Sequence, residues 1–131
     1  MPDWTELTKK LEQYLRLKTF PVAFKLLESE KELQENKWCR IAEEKATLCQ
    51  MISRVRCFDW TIGAKIESFA TPICSYMLGL IEPPQMVKDA TYRAIKWFKN
   101  IEDSKKYEEE FPKLPFGKYK AVILAPLVYN P

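Results

Sequence analysis

Apolar residues recur at helical spacing near the start of the chain, where Trp4, Leu7, Leu11, Tyr14 and Leu15 fall on one face between residues 3 and 17. Asp3 and Glu6 stand three apart, as in a capping box, so the pattern predicts an amphipathic helix. The next run, TFPVAFKLLES, places Val22, Phe24 and Leu26 on one side and Ala23, Lys25 and Leu27 on the other, which predicts a strand. Residues 28–45 are highly charged and carry no continuous apolar stripe, so they read as a loop with a helical turn.

Leu48, Met51, Ile52 and Val55 then fall at i, i+3, i+4 and i+7, opened by Thr47 with Gln50 three later. This predicts a second helix from Leu48 to Cys57. TIGAKIESFA alternates weakly and predicts a strand, after which Thr71 and Pro72 announce a short helix that Gly79 should end. Met86, Val87, Ala90, Ala94, Trp97, Phe98 and Ile101 form the longest apolar stripe and predict one amphipathic helix after Pro83 and Pro84. Charged residues and turn prolines fill 102–118. The closing segment, KYKAVILAPLVYNP, reads as a buried strand. A strand that is apolar on both faces needs neighbours on each side, which points to a second chain or to a longer polypeptide.

Mixed helices and strands define an α+β class, a small mixed sheet packed with about four helices. The 131 residues suit a single domain, 1–131, that can bury a real core. It reads as the front part of a longer domain or as one subunit of an assembly. At 47% hydrophobic and 30% charged the chain falls outside the range of disordered proteins. Its longest apolar run, AVILAPLV, is too short to span a bilayer, and the polar N-terminus has no signal-peptide core. These features predict a cytoplasmic protein without membrane partners. A net charge of +3, with both signs interspersed, implies no nucleic-acid partner.

The chain has no histidine. That removes the commonest general base, the Ser-His and Cys-His nucleophile pairs and the commonest metal ligand together. A thiophilic metal site would have to be built mainly from thiolates. The four cysteines, Cys39, Cys49, Cys57 and Cys74, form no CxxC pair, and the absence of an export signal argues against a disulfide framework. Two of them share a local position. Thr47 as N-cap makes Cys49 the second residue of its helix, and Thr71 as N-cap makes Cys74 the third residue of the next. In a first helical turn the unpaired N–H groups and the dipole favour an anionic sulfur, suited to a cluster ligand or a redox thiol. The competing reading is that all four cysteines pack as small hydrophobes, Cys39 and Cys57 above all.

Three stretches, LRLKTFPVAFKLLESEKEL, ATLCQMISRVR and PICSYMLGLIEPP, followed by KYKAVILAPL, resemble in order and spacing the N-terminal half of the domain of unknown function 169 family. Bacterial and archaeal cytoplasmic proteins, frequent in anaerobes and without an established activity, make up that group. Its pattern of a cysteine ahead of Gln and another ahead of Leu-Gly falls here on Cys49 and Cys74 only. Members usually continue past the VILAPL strand, so the resemblance implies that a site would be completed by further chain or by a partner.

Other features add little chemistry. Gly63, Gly79 and Gly117 assemble no phosphate loop of Rossmann or P-loop type. Glu43-Glu44 and Glu108-Glu110 read as solvated surface, and Arg54 and Arg56 as surface charges that an anionic ligand or cluster would meet only if it bound on that side. Trp4, Trp97 and Phe98 read as core, whereas Trp38 and Trp60 fall in irregular segments and, if exposed, suggest a partner surface. The sequence thus favours an accessory or binding protein holding an iron-sulfur cluster or another thiophilic metal through Cys49 and Cys74 within an assembly or homo-oligomer. A structural subunit with inert cysteines and an enzyme with a nucleophilic cysteine are the alternatives.

Overall fold

A computed structural model describes residues 3–42, 44–94 and 96–129. The elements run α1 (Trp4–Leu15), β1 (Val22–Leu27), α2 (Glu30–Glu35), β2 (Arg40–Ile41), α3 (Leu48–Phe58), β3 (Ile62–Lys65), α4 (Pro72–Met77), α5 (Gln85–Lys88), α6 (Thr91–Ala94), α7 (Ile101–Glu110) and β4 (Ala121–Pro126). Short 3-10 turns follow β3 and β4. The architecture is α+β, with a four-stranded mixed sheet in the order β1-β4-β3-β2.

The apolar strand β4 lies at the centre of that sheet, antiparallel to β1 on one side and to β3 on the other, and all six of its residues are buried. Its neighbours come from this same chain, so its apolar character calls for no second chain. Its two faces serve two cores. Val122 and Leu124 pack with Met51 and Val55 of α3, Ile62 and Ala64 of β3, and Phe69, Leu78 and Leu80. Ala121 and Ile123 pack on the opposite face with Leu27 and with Leu33 of α2. The pairing of Ile62 with Leu124 and of Ala64 with Val122 keeps residues of one core on one face, as the two-residue period of a strand requires.

Strands β2 and β3 are parallel because α3 crosses over between them. Gly63 of β3 leaves no room for a side chain: a Cβ there would lie 2.2 Å from Leu33 Cδ1 and 2.6 Å from Cys39 Sγ. Leu33 therefore reaches the sheet only because residue 63 is glycine. Gly79 has φ +69°, the left-handed conformation that glycine adopts without strain, and ends α4 as the sequence predicts. Pro115 O would lie 2.5 Å from a Cβ on it, so the 112–117 loop seats directly on this turn.

The single helix predicted over 86–101 is instead two short helices, α5 and α6, with Ala90 in the left-handed region at φ 59°. Two interactions hold the break. Asp89 Oδ1 accepts from the backbone N–H and the hydroxyl of Thr91, and the buried Ser104 hydroxyl donates to Ala90 O at 2.6 Å. Trp97, read as core from the stripe, is 63% exposed. The segment read as irregular over 102–118 opens instead with α7, capped by Asn100, whose side-chain oxygen accepts from Asp103 N–H at 2.8 Å. At the other end of the chain only half of the expected capping box forms. Asp3 accepts from Glu6 N–H, but the Glu6 carboxylate pairs with Lys10 at 2.7 Å.

Candidate functional site

The two cysteines singled out by sequence open helices that start side by side. After pairing as β2 and β3, the two segments continue in parallel: Ala46 N–H donates to Ser68 O at 2.9 Å, and Ala70 N–H donates to Ala46 O at 3.0 Å. One residue beyond this bridge of Ala46 with Phe69 lies Thr47, and two beyond it lies Thr71, the N-caps of α3 and α4. Cys49 is thus the second residue of α3 and Cys74 the third of α4, branching from adjoining stretches of backbone.

The two caps work differently. Thr47 and Gln50 form a full capping box: Thr47 Oγ1 accepts from Gln50 N–H at 3.2 Å and Gln50 Oε1 accepts from Thr47 N–H at 2.8 Å. Thr71 caps no backbone N–H. Its hydroxyl donates instead to Cys74 Sγ at 3.3 Å. Cys49 is exposed, whereas Cys74 is half-buried against the α3 core. Among the described residues no group of three or more Cys, Asp or Glu side chains is placed to hold a metal ion.

Cys39 and Cys57 lie apart from this pair. The Cys39 side chain packs on Leu27, Leu33 and Ile123, and burial pushes its thiol up to about 11, as befits a core residue. Cys57 is exposed near the end of α3. Arg56 has a structural role: its Nε–H donates to Thr19 Oγ1 at 3.0 Å, and its carbonyl accepts from Phe20 N–H, tying α3 to the α1–β1 connection. Glu44 is exposed, whereas Glu43 lies outside the described residues. Glu108 is not solvated surface. It is buried, with its Oε1 accepting from Arg93 Nε–H.

A second feature was not assembled from the sequence. Where β2 and β3 begin and β4 ends, a cleft of about 500 Å³ is lined by Asn36, Trp38, Arg40, Asp59, Trp60 and Tyr129, among others. The Arg40 guanidinium lies 4.7 Å from the centre of the Trp60 ring, and Tyr129 OH donates to Asp59 Oδ2 at 2.7 Å. Asp59, the left-handed C-cap of α3 at φ 57°, turns the chain here. Asn36 Oδ1 accepts from Trp38 N–H at 3.2 Å and shapes the loop whose indole stands 87% exposed. The only sequence signal for this cleft is the placement of Trp38 and Trp60 outside regular elements.

The fold and the paired helix starts define an α+β domain with two cysteines at adjacent helix N-termini. A model of the DUF169 family, described as uncharacterised ArCR, matches residues 10–130, and the chain belongs to that family. No curated protein and no solved structure matches the chain. Among the described residues no helix is long and apolar enough to cross a membrane.

Proposed function

We propose that this is a cytoplasmic accessory protein in which Cys49 and Cys74 supply two thiolates to an iron-sulfur cluster or another thiophilic metal completed by a second chain. The carrying observation is the parallel bridge of Ala46 with Phe69, which sets the two cysteine-bearing helix starts next to each other. The Thr71 hydroxyl supplies to Cys74 a hydrogen bond of the kind that tunes cluster thiolates. Two thiolates fill only half of a four-ligand site, so the reading requires a second copy or a different subunit. The stripe of α1 supports such an assembly. Leu7, Tyr14 and Leu15 are exposed, Tyr14 at 78% and Leu15 at 62%, an apolar face that a partner would cover.

One observation favours a second reading, a structural subunit with inert cysteines: Cys74 packs against the α3 core. Anaerobic purification followed by iron, zinc and sulfide analysis, with mass measurement by light scattering, separates the two. Bound metal in a dimer or larger complex is the expected result. Metal-free protein, with assembly unchanged in Cys49→Ser and Cys74→Ser, establishes the second reading.

A further inference from the structure

The cleft at the start of β2 and β3 holds two opposite charges that do not meet. Among the described residues neither Arg40 nor Asp59 takes part in an ion pair, with the other or with a third group. Each is restrained by an aromatic neighbour instead. The Arg40 guanidinium lies over the Trp60 ring, and among the described residues no side-chain hydrogen bond or ion pair engages its N–H groups, which suit a carboxylate or phosphate. Tyr129 takes up one lone pair of Asp59 Oδ2 and leaves the rest of the carboxylate able to accept hydrogen bonds. Beside them Trp38, which also lines the cleft, leaves most of its large aromatic side chain in water on a loop that Asn36 shapes.

A separated cation and anion flanking an exposed aromatic face are complementary to one kind of molecule. It carries an anionic group at one end, an N–H donor elsewhere, and a planar ring between or beside them. From this geometry we propose that the cleft binds a small aromatic ligand of that kind, its anion on Arg40, its amine on Asp59 and its ring against Trp38. Two sources share the chemistry. An aromatic amino acid offers a carboxylate, an ammonium and a ring, and an adenine mononucleotide offers a phosphate, an exocyclic amine and a base. The volume of about 500 Å³ admits either. The site stands on residues separate from Cys49 and Cys74, so it holds whether or not those cysteines bind metal.

The test is titration of the full chain with L-phenylalanine and, separately, with AMP, following the four indole Nε1–H signals by NMR. Saturable shifts of Trp38 and Trp60, with Trp4 and Trp97 unmoved, are expected for one of the two probes, and that probe identifies the source. Arg40→Ala should weaken the affinity roughly tenfold or more through loss of charge-assisted hydrogen bonds, and Arg40→Lys by less. Trp38→Ala removes an exposed side chain, so the fold survives it, and should also weaken binding. The proposal is overturned if neither probe gives saturable shifts at millimolar concentration. Unchanged affinity in both Arg40→Ala and Trp38→Ala overturns it equally.

Discussion

Arg93 of α6 donates its Nε–H to Oε1 of Glu108 on α7 across 2.6 Å, with the two side chains only 7% and 8% exposed. Four rings surround the guanidinium, those of Tyr92, Trp97, Tyr107 and Phe111, with centres 4.5 to 5.9 Å from its carbon. Deleting one partner of such a pair strands a charge in a low-dielectric site. Glu108→Ala should therefore lose about 3 kcal/mol or more of unfolding free energy in a urea titration. Glu108→Gln, which keeps an acceptor in place, should lose less. A change below about 1 kcal/mol in Glu108→Ala would show that the pair does not hold α6 to α7.

Two glycines are predicted to resist substitution for different reasons. In Gly63→Ala the added methyl meets Leu33 and Cys39 at less than contact distance, so overpacking should lower stability by about 1–3 kcal/mol. Shortening the obstructing side chain in Gly63→Ala/Leu33→Ala should make the two losses less than additive. In Gly79→Ala the obstacle is backbone, Pro115 O, and the φ of +69° adds strain, so no single side-chain change should restore it. Thermal unfolding of Gly63→Ala, Leu33→Ala, their double variant and Gly79→Ala distinguishes these outcomes, and full additivity in the Gly63 pair would contradict the first.

Thiol reactivity should follow the surroundings of each cysteine. At neutral pH the exposed Cys49 and Cys57 should alkylate first, half-buried Cys74 later and Cys39 last. Burial raises the Cys39 thiol from 9.0 to about 11, so the folded state holds that proton more tightly than the unfolded one. Its contribution to stability is fully present below pH 9 and is lost as pH rises through 11. Cys39→Ala should flatten the pH dependence of stability across that window. An unchanged slope would place the effect elsewhere.

Much of the site was legible because helix starts are written locally. Thr47 with Gln50, and Thr71 followed by Pro72, fixed both caps within a few residues, so Cys49 and Cys74 fell where the spacing put them. The adjacency of the two helix starts was not legible, since it depends on the pairing of Ala46 with Phe69 across 23 residues of chain. The break at Ala90 escaped the pattern because the apolar period runs on through it, while the side chains of Asp89 and Ser104 impose the turn. Helix α7 escaped for the opposite reason. IEDSKKYEEE has almost no apolar stripe, and its inward face is carried by Ser104 and Glu108, polar residues whose partners lie 14 and 15 positions away. The Arg40 cleft draws on three separate segments, so only its tryptophans left a trace in the sequence.

The paired cysteines are tested most directly by metal content per chain in anaerobically prepared wild type, Cys49→Ser/Cys74→Ser and Cys39→Ser/Cys57→Ser. Metal in the wild type and in the second double variant, with loss confined to Cys49→Ser/Cys74→Ser, is the predicted result. Equal metal content in all three proteins, or none in any, would contradict a site built on these two helix starts.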